Sequence, residues 1–161
     1  MPAFAAPDPG FESRVRESFA RLALMRTIGA RLVRVAAGAV DIDMPVRDDL
    51  TQQHGYVAAA VLTALVDTAC GYAAMSLMPA GAGVVTVEYK VNFIAPARGE
   101  RLVAHGRVVK AGRRLTVCTG EVHALLRGTE HPVATMLGTM APLHDVAEVS
   151  PGGRHAVVRS S

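Results

Sequence analysis

The sequence predicts an α+β domain in which an antiparallel β-sheet wraps around one long apolar helix, and three observations carry that expectation. Residues 57–77 are rich in Ala and Leu with apolar residues on every face of the helical wheel, so a helix there has to be enclosed by protein. Val85, Val87, Tyr89, Val91 and Phe93 alternate with Thr86, Glu88, Lys90 and Asn92, which is the period of a strand with one packed face and one facing solvent or a partner. The elements follow in the order helix, two strands, enclosed helix, four strands, and a sheet curved over the helix lets each bury what the other exposes.

Phe11, Val15, Phe19, Leu22 and Met25 recur at helical intervals among Glu12, Arg14, Arg16 and Glu17, which predicts an amphipathic surface helix over about residues 10–25. Ile28–Val35 and Ala39–Met44 are β-rich runs joined through Gly38, with Asp41 and Asp43 on one polar face. The polar stretch Pro45–Gln53 leads as a loop into the enclosed helix, which Pro79, Gly81 and Gly83 end. Arg101–Lys110 and Arg114–Leu126 flank Ala111-Gly112-Arg113 as a long hairpin, and Pro132–Met140 supplies the last strand. The tail, about 144–161, carries Pro151-Gly152-Gly153 and is expected to be loosely ordered. All 161 residues read as one domain with its core over about 28–142, without internal repeats.

Composition bounds the function. Half the residues are apolar and 19% are charged, which excludes a disordered chain, and the absence of Trp points to aliphatic packing. The formal charge of +3 is scattered, without the basic stripe that nucleic-acid binding needs. The apolar stretch 57–78 is interrupted by Thr63, Asp67, Thr68 and Ser76, so no membrane span is expected. Cys70 and Cys118 have neither metal spacing nor a disulfide framework and read as buried thiols. Met1–Gly10 has no basic start and is broken by Pro7 and Pro9, so it lacks the pattern of a secretory signal, and the expected location is cytoplasmic. The six histidines show no i,i+4 pair or Cys partnership, and no metal is expected.

Asp67 does not belong in its helix. Burying a carboxylate without a partner costs several kcal/mol or raises its pKa, and no Lys or Arg lies within one helical turn. Perturbed carboxylates of this kind cluster at functional sites.

Gln52–Met75, followed by Thr86-Val-Glu-Tyr-Lys-Val-Asn-Phe-Ile-Ala-Pro96, resembles the phenylacetate-pathway, PaaI-like branch of the hotdog-fold acyl-CoA thioesterases. The resemblance spans about residues 28–142, with Asp-Thr-Ala-Cys-Gly-Tyr-Ala-Ala and Asn-Phe-x-x-Pro as its specific parts. It implies a hotdog fold and hydrolysis of an aromatic or short- to medium-chain acyl-CoA, with Asp67 as general base or nucleophile. Coenzyme A then belongs to the substrate, and no separate cofactor is implied. The family's loop amide falls on Gln52 and its backbone oxyanion donor on Ala59. Its His-Gly-Gly motif, with the His nine residues before the acid, is replaced here by Ala58-Ala59-Ala60. His54-Gly55 lies thirteen residues before Asp67 and reads as the preceding loop. Ala in place of Gly keeps the N–H donor where φ is negative.

Ala59 and Asp67 are eight residues apart, about 12 Å along one helix, whereas base and oxyanion donor must both reach one thioester. Two copies with antiparallel helices bring the donor of one beside the acid of the other, so a homodimer, or a tetramer built from such dimers, is expected. His54, Gly55, Thr68, Asn92, Lys90 and Arg113 are the candidates for substrate contact. Lys90 and Arg113, with Arg98, Lys110 and Arg114, stand at strand ends or turns where CoA phosphates could be met. Thr68, one position beyond Asp67, points about 100° away and suits helix packing as well. Gly71 reads as a point of close helix–sheet or helix–helix approach. The alternatives are a hotdog-fold hydratase or dehydratase using His54 and Asp67, and a non-catalytic acyl-CoA-binding module.

Overall fold

The computed structural model describes residues 4–144. The expected N-terminal helix is two: α1, Phe11–Arg21, and α2, Ala23–Ile28, separated at Leu22, whose backbone is extended (ψ 100°). The break re-aims the second segment so that Met25 and Ile28 join Val15 and Phe19 in the core. Ile28 therefore ends a helix instead of opening a strand, and Gly29, at φ +78°, closes it in the left-handed conformation that glycine adopts without steric cost.

Six strands follow: β1 (Arg31–Ala36), β2 (Ala39–Pro45), β3 (Gly83–Phe93), β4 (Arg101–Ala111), β5 (Thr116–Leu126) and β6 (Thr129–Leu143). They form one antiparallel sheet in the order β1-β2-β4-β5-β6-β3. A 3-10 turn, Asp48–Leu50, interrupts the loop before α3, Ala59–Met75, which crosses the concave face. Alternation decides that face: Val40, Ile42 and Met44 on β2, Leu102, Ala104 and Val108 on β4, and Cys118, Val122 and Ala124 on β5 are buried against the helix.

The helix comes close because two inward positions lack a side chain. A Cβ on Gly106 would lie 2.2 Å from the Ala69 carbonyl oxygen, and one on Gly120 would lie 2.4 Å from Val66 Cγ2. At Gly71, read from sequence as a point of close helix–sheet or helix–helix approach, a Cβ would meet Val84 Cγ1 at 3.9 Å, so the helix–sheet approach does not rest on it. Cys70 and Cys118 are buried free thiols, and burial lifts the Cys118 thiol to about 12.

β3 is the other edge of the sheet and pairs only with β6. Val85, Val87, Tyr89 and Phe93 on it, with Ile94 and Leu137 beside it, are all more than 40% exposed. Among the described residues nothing covers this long, apolar edge. Among the described residues no helix is long and apolar enough to cross a membrane.

Candidate active site

α3 is enclosed by the sheet and by α1 but open along one stripe. Val66, Ala69, Cys70 and Ala73 face the sheet, and Tyr72 packs edge-on against Phe19 of α1. Ala60 is exposed, and Thr63, Ala64 and Asp67 are half-buried at three- and four-residue steps, so a stripe along the N-terminal half of the helix looks outward. The apolar wheel demanded full enclosure, and the described residues of one chain do not provide it.

Asp67 lies on this stripe, and its partner was not among the candidates read from the sequence: the Thr86 hydroxyl of β3 donates to Asp67 Oδ1 at 2.8 Å. A β-bulge explains the omission. Thr86 pairs with Met140, but Glu88 pairs with Thr139, so Val87 is an extra residue in the ladder. Simple alternation puts Thr86 on one face with Glu88, Lys90 and Asn92. The bulge turns Thr86 inward, beside the buried Met140, and leaves the other three on the outer face. Burial pushes the Asp67 carboxyl above the ordinary carboxylate value, and the Thr86 hydrogen bond offsets part of that rise.

A second concavity, of about 440 Å³, opens at the start of α3 between Gln52, Tyr56, Ala59, Phe93 and Pro96. Among the described residues no side chain caps the helix there, and the first-turn amides of an α-helix have no internal acceptor. Ala59 is the first helical residue and is not among the described residues at positive φ. Its N–H therefore points forward with the positive end of the helix dipole behind it. Gln52 Oε1 accepts the His54 backbone N–H, which leaves the Gln52 amide nitrogen as a donor. Gln52 and Ala59 thus line one cavity, and Asp67 lies two turns further along the helix.

The other candidates are dispersed. His54 is exposed, and Gly55 makes the tight turn beside it at φ +80°. Thr68 is half-buried next to Asp67. Lys90 and Asn92 pair with Leu137 and Thr135 on the outer face and are not brought to Asp67 within the chain. Arg113 is exposed in the β4–β5 turn, at the sheet end where Thr116 pairs with Met140 and Met140 with Thr86.

Comparison with known proteins places this arrangement. Residues 54–129, a stretch that includes Ala59, Asp67 and Thr86 but not Gln52, match the model of the Thioesterase superfamily. The crystal structure of a thioesterase family protein from Silicibacter pomeroyi is 47% identical, covers 84% of this chain and 99% of that one, and superposes with a TM-score of 0.83. The chain belongs to the thioesterase superfamily. An esterase-named protein of Halobacterium salinarum is 30% identical to this superfamily member over 99 residues, 58% of this chain, and the match spans 65% of that relative's length. The Escherichia coli PaaI protein from the phenylacetic acid degradation operon is 20% identical, with 83% of this chain and 93% of that one covered at a TM-score of 0.74. At that identity the likeness is one of fold, and the fold is the hotdog arrangement that the family resemblance implied.

Proposed function

We propose that the protein hydrolyses an acyl-CoA thioester at sites shared between two copies of the chain. The observation that carries this reading is a carboxylate held by Thr86 inside an apolar helix, two turns from an uncapped helix N-terminus. Neither half suffices alone. A base without an oxyanion donor leaves the negative charge of the tetrahedral intermediate unstabilised, and a donor without a base leaves water too weak to attack.

In the proposed dimer the outward stripes of the two α3 helices run antiparallel, and the apolar β3 edges meet across the two-fold axis. Asp67 of one copy then stands beside Gln52 and Ala59 of the other. The thioester carbonyl oxygen accepts from the Ala59 N–H and the Gln52 amide. Asp67 takes a proton from water as the water oxygen bonds to the carbonyl carbon, or attacks that carbon itself. On the water route, collapse breaks the C–S bond and the CoA thiolate leaves with the proton that Asp67 took. On the direct route, the thiolate leaves an acyl–Asp67 anhydride, which water then hydrolyses to free acid and carboxylate. Thr86 occupies Oδ1 and leaves Oδ2 to react. A carboxyl with a raised pKa is the stronger base for this task. Exposed Arg113 suits the CoA phosphates. The lack of a His side chain at Ala58 is met in this reading by backbone and Gln52 donors alone. The PaaI-like motifs suggest an aromatic or short- to medium-chain acyl group.

The test is a panel of phenylacetyl-, benzoyl- and straight-chain acyl-CoAs with a thiol reagent that reports free CoA. The expected result is release with at least one acyl group, falling about 10²–10⁴-fold in Asp67→Asn. Binding without release would favour a non-catalytic module, and hydration of an enoyl-CoA without thiol release would favour a hydratase.

A further inference from the structure

The outer face of the sheet, turned away from α3 and Asp67, carries a second polar cluster. His105 of β4 pairs with Glu121 of β5, and Val103 pairs with His123, so the two histidines are diagonal neighbours with ring centroids 5.3 Å apart. Glu130 joins them from the start of β6. One ligand atom from each of His105, His123 and Glu130 lies within 4.8 Å of the other two. A depression of about 370 Å³ opens over His105, Glu121 and His123.

The hydrogen bonds fix which ring nitrogens are bare. Asp41 Oδ1 lies 2.9 Å from His105 Nδ1, and a carboxylate only accepts, so Nδ1 carries the hydrogen and Nε2 keeps its lone pair. Arg107, 3.5 Å from the same nitrogen, is held instead by Asp41 at 2.5 Å. Glu121 Oε2 lies 3.0 Å from His123 Nε2, so that nitrogen is the donor. The bare Nδ1 of His123 then confronts Glu130 Oε2 at 3.7 Å. A lone pair facing a carboxylate oxygen is repulsive, and a cation between them reverses the sign. Asp41 and Glu121, each behind an imidazole, are the outer carboxylates that orient metal-binding histidines elsewhere.

We propose that His105 Nε2, His123 Nδ1 and the Glu130 carboxylate bind a divalent transition metal of the zinc class, with water completing the shell. Ligand atoms around a tetrahedral zinc stand about 3.4 Å apart, given bonds of roughly 2.0–2.2 Å. His123 and Glu130 are already near that spacing. Glu130, whose side chain is 53% exposed, has room to turn toward the imidazoles. Two imidazoles favour zinc, cobalt or nickel over magnesium and calcium, which prefer oxygen. The ion would tie β4, β5 and β6 together on the outer face.

The test uses tag-free protein stripped with a chelator, titrated with Zn²⁺ by calorimetry and with Co²⁺ by visible absorption. The expected result is one ion per chain and a Co²⁺ band typical of low coordination number. Tm should rise by about 5 °C at saturating zinc, with no response to Mg²⁺. His123→Asn should abolish binding. Glu130→Gln, which changes only an exposed side chain and leaves the fold intact, should weaken it about tenfold. Zinc binding equal in wild type and both variants, equal binding of Mg²⁺, or no binding at all would overturn the proposal.

Discussion

At Asp67 two opposed effects meet on one carboxyl group. Desolvation disfavours the charged form, and the Thr86 hydroxyl favours it. Replacing Thr86 with Val removes only the second, so the Asp67 pKa should climb further. A base must be ionised to work, and the acid limb of the pH–kcat/KM profile should therefore move to higher pH in Thr86→Val while the plateau falls less than in Asp67→Asn. An unshifted limb would mean that Thr86 does not act on the carboxylate. The same shift has a sign in stability. A carboxyl whose folded pKa lies above its unfolded value binds protons more tightly when folded, so its stabilising contribution is complete below the unfolded pKa and is lost as pH rises through the folded one. Asp67→Asn should accordingly unfold no earlier than wild type at neutral pH, and its advantage should vanish in acid. Asp67 itself was legible in the sequence because a carboxylate in a run of aliphatic residues has no structural excuse. Thr86 was not, because the bulge at Val87 changes the face of one residue without changing the alternation that a reader sees. His105, His123 and Glu130 were hidden for a related reason. Histidines on neighbouring strands meet through register, and register leaves no spacing rule in the chain.

At the scale of elements, the approach of α3 to the sheet rests on Gly106 and Gly120, where a methyl group has no room. Gly106→Ala should cost about 1–3 kcal/mol or more through overpacking against the Ala69 carbonyl. Gly71→Ala, in the same helix–sheet layer, meets ordinary van der Waals contact and should gain about 0.5–1 kcal/mol of helix stability. Thermal unfolding of the two variants side by side checks the contrast, and equal destabilisation would contradict it. Element identity followed from pattern: β2, β4 and β5 bury every second residue as their sequences alternate. Boundaries followed less well. α1 and α2 share one periodicity across a break at Leu22, and nothing in the apolar spacing marks it. β6 begins at Thr129, before the Pro132 that was expected to open it, because Pro132 needs no ladder donor where the register slips between Val122 and His123.

At the scale of the molecule, three uncovered features share one remedy. The outward stripe of α3, the apolar β3 edge and the split between Asp67 and the Gln52–Ala59 cavity all close if a second copy docks on that side. Val87→Lys sets a charge against its two-fold mate and should weaken association about tenfold or more by light scattering against concentration. No change in that assay would move the interface elsewhere. The expectation of a partner rests on the eight-residue separation of the proposed donor and acid, whereas the acyl group leaves no such signal, since its pocket is assembled from side chains that sequence cannot bring together. The most direct measurement mixes the two halves of the proposed site. Asp67→Asn and Gln52→Ala, each nearly inactive alone, are unfolded together in equal amounts and refolded. If Asp67 of one copy serves the cavity of the other, half the dimers are mixed and each mixed dimer holds one intact site, so CoA release should return to about a quarter of wild type. A mixture no more active than its separate components would contradict the shared site.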